Sequence, residues 1–454
     1  MLKSRYHAVF WGKTPWSLLH ALLWRLKGRE VLVIDDQALS TASGGHRWLT
    51  TLEMGALQDL GEKFQIEPLM ALDSFLRPAR LKIQTPQYQW VTGLNARDNL
   101  REFIRKFPVF QTPVLLQALE QHDITADLLK VQKSFLDWFR SQQVRHRTTP
   151  PFASAGVPWF VEFQKVLTDE LTRPYKDPQD GALAQLVAGF STATGQVVKY
   201  TFAPHEAAYM AIRLLSPLWE LDVRWFEREI LRELQSQGAH FKRAGIQSWQ
   251  LGEGRVEAAL LDSYEGVIGY ERLLMYGFPP ATGTLQCVFQ EKVFRGLETI
   301  WPHIETAVLE EPRAELTCLT GARLMGTDVP MMILEDGPRA TRLQVLVEER
   351  PGAKPEFYRQ ETAEVALPFV SEALHHTPAW WDGAKNGASW DVWVEETLLN
   401  ASLKGPLMLH EKRQIKIVDR ERQETLSGVQ YWGPLMNQRF GVLGYLTELR
   451  WDLV

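Results

Sequence analysis

The stretch AVFWGKTPWS, residues 8–17, sets an apolar run directly before a glycine and then a threonine-proline pair. Twelve residues on, EVLVIDD (30–36) is a second apolar run closed by two acids. A strand, a tight glycine turn, a helix and an acid-ended strand form the unit that carries a dinucleotide's phosphates and ribose. In such a unit the first glycine makes the turn, the second lets main chain approach pyrophosphate, and the third lets helix and strand pack closely. Here Gly12 keeps the first position, Thr14 replaces the second glycine and Ser17 the third. Lys13 is placed to add a phosphate contact, and Asp35 stands where a ribose-binding carboxylate would stand.

The replacements have their own logic. Threonine is a good helix N-cap, and proline is favoured at the first helical position. Thr14-Pro15 therefore predicts a well-started helix. The threonine hydroxyl can also take the N–H groups that would otherwise meet phosphate. Beyond Asp35, the pair Gly44-Gly45 followed by His46 and Arg47 marks a tight turn near the carboxyl ends of the first strands. It adds Gly44, Gly45 and Arg47 to the candidate cofactor-binding residues.

These residues need a scaffold of more than one domain, because 454 residues exceed a single simple core. Residues 205–276 give its next part. Phe226, Ile230, Leu231 and Leu234 recur at helical spacing and stop at Gly238. Strands are expected at 240–242, 246–250 and 256–261, with a further apolar run at 273–276. Residues 115–140 and 158–216 read as amphipathic helices, and 285–350 as strands.

Composition removes several function classes. A net charge of −5 with short basic runs gives no electrostatic case for nucleic acid. Two cysteines, Cys287 and Cys318, make neither a disulfide framework nor a metal set, and the pair His375-His376 is no ligand motif. No stretch approaches the ~20 apolar residues of a membrane span, and no secretory leader is read at the start. A cytoplasmic protein without metal is the expectation.

The first unit, the Gly44-Gly45 pair and the run SQGAHFKRAGIQSWQLGEGRVEAALL (236–261) together resemble the FAD-dependent phytoene desaturase and flavin amine oxidase superfamily. The resemblance implies an α/β fold: a Rossmann-like FAD/NAD(P)-binding domain with a discontinuous substrate domain of mixed sheet plus helices. It divides the chain into residues 1–65, 206–284 and 401–454 for the cofactor domain and 66–205 and 285–400 for the substrate domain. It places an adenine contact at Ile246. At the C-terminal return it implies cofactor contacts from Gly433 and Asn437, although Pro434 stands where such proteins carry an acid. Trp380, Trp381 and Tyr431 are the implied substrate-lining aromatics.

FAD would then carry the redox step on an apolar or amine-bearing small molecule, and no acid–base set is visible or required. The alternative is a flavin-free module that binds a protein or lipid partner, as Rab GDP dissociation inhibitors do on a similar fold.

Overall fold

The computed structural model describes residues 5–36, 48–84, 89–141, 156–172, 182–183, 186–187, 190, 204–252, 255–262, 267–276, 285–288, 294–302, 314–324, 327–336, 340–348, 389–395, 416–419, 424–425, 427–432 and 441–452. Of the candidate residues, Gly44, Gly45, Arg47, Trp380, Trp381, Gly433 and Asn437 lie outside them.

The chain opens with β1 (Arg5–Trp11), α1 (Pro15–Leu26) and β2 (Val31–Asp35). Then come β3 (Trp48–Thr50), α2 (Thr51–Phe64), α3 (Glu67–Met70), β4 (Leu76–Gln84), β5 (Gln89–Val91) and four helices, α4 (Ala96–Lys106), α5 (Pro113–Gln121), α6 (Ile124–Ser141) and α7 (Pro158–Thr172). Helix Pro204–Leu215, β6 (Leu218–Leu221) and helix Val223–Ser236 lead to β7 (His240–Arg243), β8 (Ile246–Gly252), β9 (Arg255–Leu261) and β10 (Val267–Met275). Next are β11 (Leu285–Val288), β12 (Phe294–Pro302), β13 (Ala314–Leu324), β14 (Thr327–Asp336), β15 (Ala340–Glu348) and β16 (Ser389–Glu395). The last elements are β17 (Lys416–Asp419), β18 (Glu424–Thr425), β19 (Val429–Tyr431) and the C-terminal helix Gly441–Asp452.

Five strands run parallel in the order β7-β2-β1-β10-β19. The chain leaves β1 toward β2 and β7, then returns to its other side as β10 and β19. The order therefore reverses between β1 and β10, the switch point at which α/β sheets bind ligands. The amino half of β10 also pairs with β9, and β9 with β8, as an antiparallel meander. β10 is longer than the apolar run 273–276 suggests, because Ile268 and Tyr270 alternate with exposed Val267 and Glu271 in its first half. This is an α/β fold with a Rossmann-like parallel sheet.

A second sheet has nine strands, β16-β12-β15-β14-β13-β4-β6-β3 with β5 on β4, and β4 runs parallel to β13. Ala79, Leu81 and Ile83 of β4 enter the main core with aromatics and leucines of α4 to α7. Strands β11, β17 and β18 make a third, small sheet.

Local chemistry starts and stops the helices. Thr112 and Asn95 cap α5 and α4 through side-chain oxygens, and Asp222 caps helix Val223–Ser236. That last helix ends before Gly238, whose φ of 75° needs glycine. Between β1 and α1, Phe10, Leu18, Leu19, Leu22 and Leu23 are fully buried, and each large side chain contributes about 1.5–3 kcal/mol.

Candidate functional site

The carboxyl ends of the parallel strands meet in one line. Ile34, Trp11, Met275 and Tyr431 stand side by side across β2, β1, β10 and β19. Gly12 follows Trp11 with a φ of 104°, and its N–H reaches the carbonyl of Ile34 at 3.0 Å. The turn assigned to the first glycine is intact.

The helix start beyond it is closed on itself. Thr14 N–H donates to Ser17 Oγ at 2.8 Å, and Ser17 N–H donates to Thr14 Oγ1 at 3.0 Å. The Ser17 hydroxyl in turn donates to the Thr14 carbonyl at 2.9 Å. Pro15 has no N–H at all. Of the four main-chain groups from Thr14 to Ser17, only that of Trp16 lies outside the loop's own hydrogen bonds. A helix start holds phosphate through such unspent N–H groups and the dipole behind them. Lys13, the remaining candidate for phosphate, is ion-paired to Glu227 of helix Val223–Ser236 at 2.7 Å. The loop as built does not fit a dinucleotide pyrophosphate in the usual mode.

Asp35 ends β2 half-buried, opposite Arg243 of β7. Its neighbour Asp36, which the sequence reading passed over, is the more enclosed carboxylate at 9% exposure. Trp11 Nε1–H donates to Asp36 Oδ2 at 2.7 Å. A side-chain atom added at Gly245 would lie 3.0 Å from Asp262 Oδ2 and 3.8 Å from Asp36 Oδ1, so two carboxylates flank the main chain there. Ile246, the implied adenine contact, sits opposite Leu261 and packs against the small core cluster that contains Trp11 and Ile34. Tyr431 reaches the same edge as Met275 through its main chain.

Beneath the switch point runs a buried polar chain. Trp24 Nε1–H donates to His20 Nε2 at 3.1 Å, which makes that nitrogen an acceptor and places the imidazole proton on Nδ1. His20 Nδ1–H then donates to the Tyr276 hydroxyl at 2.6 Å. Tyr276 stands 2.8 Å from the Tyr445 hydroxyl, and Tyr445 donates to the Trp16 carbonyl at 3.0 Å. A carbonyl only accepts, so every proton in the chain has one direction. The Trp432 ring lies 4.4 Å from that of His20. No residue here was marked as a site in the sequence, because its partners lie as far as 429 positions apart.

A second buried group lies where α2 meets helix Pro204–Leu215. Glu53 caps its own helix through the N–H and hydroxyl of Thr50, accepts from Tyr209 Oη at 2.7 Å and pairs with Arg213 Nε at 3.0 Å. Burial and the adjacent Glu53 carboxylate hold the Tyr209 phenol well above its ordinary value, against the opposing pull of Arg213. Glu53 has its partners in place, and this cluster fastens two helices. Among the described residues no group of three His, Cys, Asp or Glu side chains could hold a metal ion. None of their helices is long and apolar enough to cross a membrane.

The sequence matches no protein-family description, and no curated protein matches it. Solved structures do show likeness in fold. A Rab GDI from Plasmodium falciparum is 8% identical, with 99% of each chain covered and a TM-score of 0.46. A glycerol-3-phosphate dehydrogenase from Bacillus halodurans complexed with FAD is 10% identical, covering 100% of this chain and 64% of that one, TM-score 0.42. A peptidyl tryptophan dihydroxylase is 10% identical over 86% of this chain, TM-score 0.40, and this chain spans only 56% of its length. The strand order described above carries the fold assignment without them.

Proposed function

We propose that this chain is a flavin-free binding protein built on the FAD/NAD(P)-binding fold, taking a protein or lipid partner in place of redox chemistry. The observation behind this reading is the reciprocal pair of hydrogen bonds between Thr14 and Ser17, with Pro15 between them. Together they use or remove three of the four main-chain donors that would face pyrophosphate. Fold alone does not imply activity. A scaffold can keep its sheet while the loop that served the cofactor is recast as an ordinary helix cap.

The competing reading is a flavin-dependent oxidoreductase of phytoene desaturase or amine oxidase type, acting on an apolar or amine-bearing small molecule. The retained turn at Gly12 and the acid at Asp35 favour it. An absorption spectrum of the purified protein, followed by titration with FAD, separates the two. A colourless protein that takes up no FAD supports the binding reading. Flavin bands near one equivalent per chain would falsify it. Location in the cytoplasm is part of the same proposal and is tested by fractionation.

A further inference from the structure

Strand β4 turns Ala79, Leu81 and Ile83 into the core, so Pro78, Arg80 and Lys82 share its other face. Along that face burial deepens steadily. Pro78 is exposed, Arg80 is half-buried and Lys82 is only 9% exposed. Lys82 has neither hydrogen-bond nor ion-pair partner among the described residues. A lysine so enclosed is normally paired, because an ammonium stripped of water needs an opposite charge. The strand register supplies none at its own level: Val91 of β5 and Thr317 of β13 stand beside it. The nearest acid in that register, Glu315, is opposite Arg80.

The same face carries a second unspent donor. Trp219 of β6 is opposite Pro78, and its buried indole N–H has no hydrogen-bond partner. Trp219 is thus the diagonal neighbour of Arg80, and Arg80 precedes Lys82 by one same-face step, each step about 7 Å. Three donors stand in a row on one sheet face, two of them cationic and the innermost enclosed.

We propose that this row binds the oxyanion group, carboxylate or phosphate, of a small molecule. Lys82 makes the charge contact at the buried end of the row, Arg80 the contact nearer solvent, and the Trp219 indole N–H a directional hydrogen bond. An anion there relieves both the desolvated ammonium and its repulsion from Arg80. The site does not depend on the closed loop at α1, since β4 and β6 belong to the nine-stranded sheet.

Titration calorimetry of the full chain at low salt, with sodium benzoate and separately with inorganic phosphate, tests it. At least one probe is expected to bind with a dissociation constant of about 1 mM or tighter. Benzoate alone would identify a carboxylate ligand, and phosphate alone a phosphate ligand. Lys82→Met keeps the aliphatic stem and should weaken binding about tenfold or more, equivalent to 1.4 kcal/mol. Trp219→Phe, which removes only the donor, should weaken it several-fold and serves if the lysine variant does not fold. The proposal is overturned if neither anion binds the unaltered protein, or if one binds equally well to both variants.

Discussion

Tyr276, the residue after β10, and Tyr445 in the C-terminal helix join hydroxyls at 2.8 Å across 169 positions of sequence. Through His20 on one side and the Trp16 carbonyl on the other, this contact fastens the end of the chain to the first helix of the parallel sheet. Each group is buried, and the donors run in one direction from Trp24 to the Trp16 carbonyl.

Removing the middle of the chain should therefore cost more than one bond. Tyr276→Phe leaves the His20 Nδ1–H without its acceptor and Tyr445 without its donor, a loss of about 1–3 kcal/mol. Tyr445→Phe should cost a similar amount, and the double variant less than the sum because both act on one network. Urea denaturation of the three variants measures this. Additive losses would show that the two hydroxyls act separately.

Glu53 and Arg213 pose a sharper case, since both are nearly fully buried. Arg213→Met leaves a buried carboxylate without its cation and should destabilise by about 3–5 kcal/mol. Replacing both, as Glu53→Leu with Arg213→Met, should recover part of that loss, although the Thr50 cap goes with Glu53. Absorbance titration of the tyrosines adds a second readout. The Tyr209 phenol, held high by burial and by Glu53, should ionise at lower pH in Glu53→Gln.

Asp127 gives stability a dependence on acid. Burial pushes its carboxyl up, but hydrogen bonds from Lys130 at 3.0 Å, Trp159 Nε1 at 3.2 Å and His122 Nδ1 at 3.1 Å outweigh this, so its value lies below the ordinary one. A carboxyl lowered by folding stabilises the native state above its unfolded value of about 3.9 and loses that contribution as pH falls through the folded value. Asp127→Asn should lower the urea midpoint at neutral pH, and the gap from the unaltered protein should close in acid. A gap independent of pH would mean that the carboxylate's charge plays no part.

How much of this was legible depends on how far apart the partners lie in sequence. The Thr14-Pro15 helix start and the stop at Gly238 are local features, within reach of three or four residues. The parallel order of β1 and β2 follows from the apolar runs on either side of α1. By contrast, Asp36 reads no differently from Asp35 until the fold turns it toward Trp11. His20 looks like one polar residue in an apolar helix, because its acceptor is 256 positions away. Lys82 looks like the polar half of an alternating strand. Its strand is paired with β13 and β5 in the fold, and no local pattern announces those pairings.

Thr14 allows the closed loop to be tested by opening it. Thr14→Gly removes the hydroxyl that holds Ser17 N–H and restores the space of the second glycine. As an N-cap change it should cost only a few tenths of a kcal/mol, whereas Thr14→Ala should cost about 1 kcal/mol. Pro15→Ala returns a main-chain donor to the first helical position. If the loop alone excludes the cofactor, the double variant Thr14→Gly with Pro15→Ala should bind FAD measurably more tightly than the unaltered chain, as read by flavin fluorescence on titration. If the double variant folds normally and still takes up no FAD, the obstruction lies deeper. Trp11 on Asp36 is then the next residue to replace, because its indole N–H occupies the enclosed carboxylate at the end of β2.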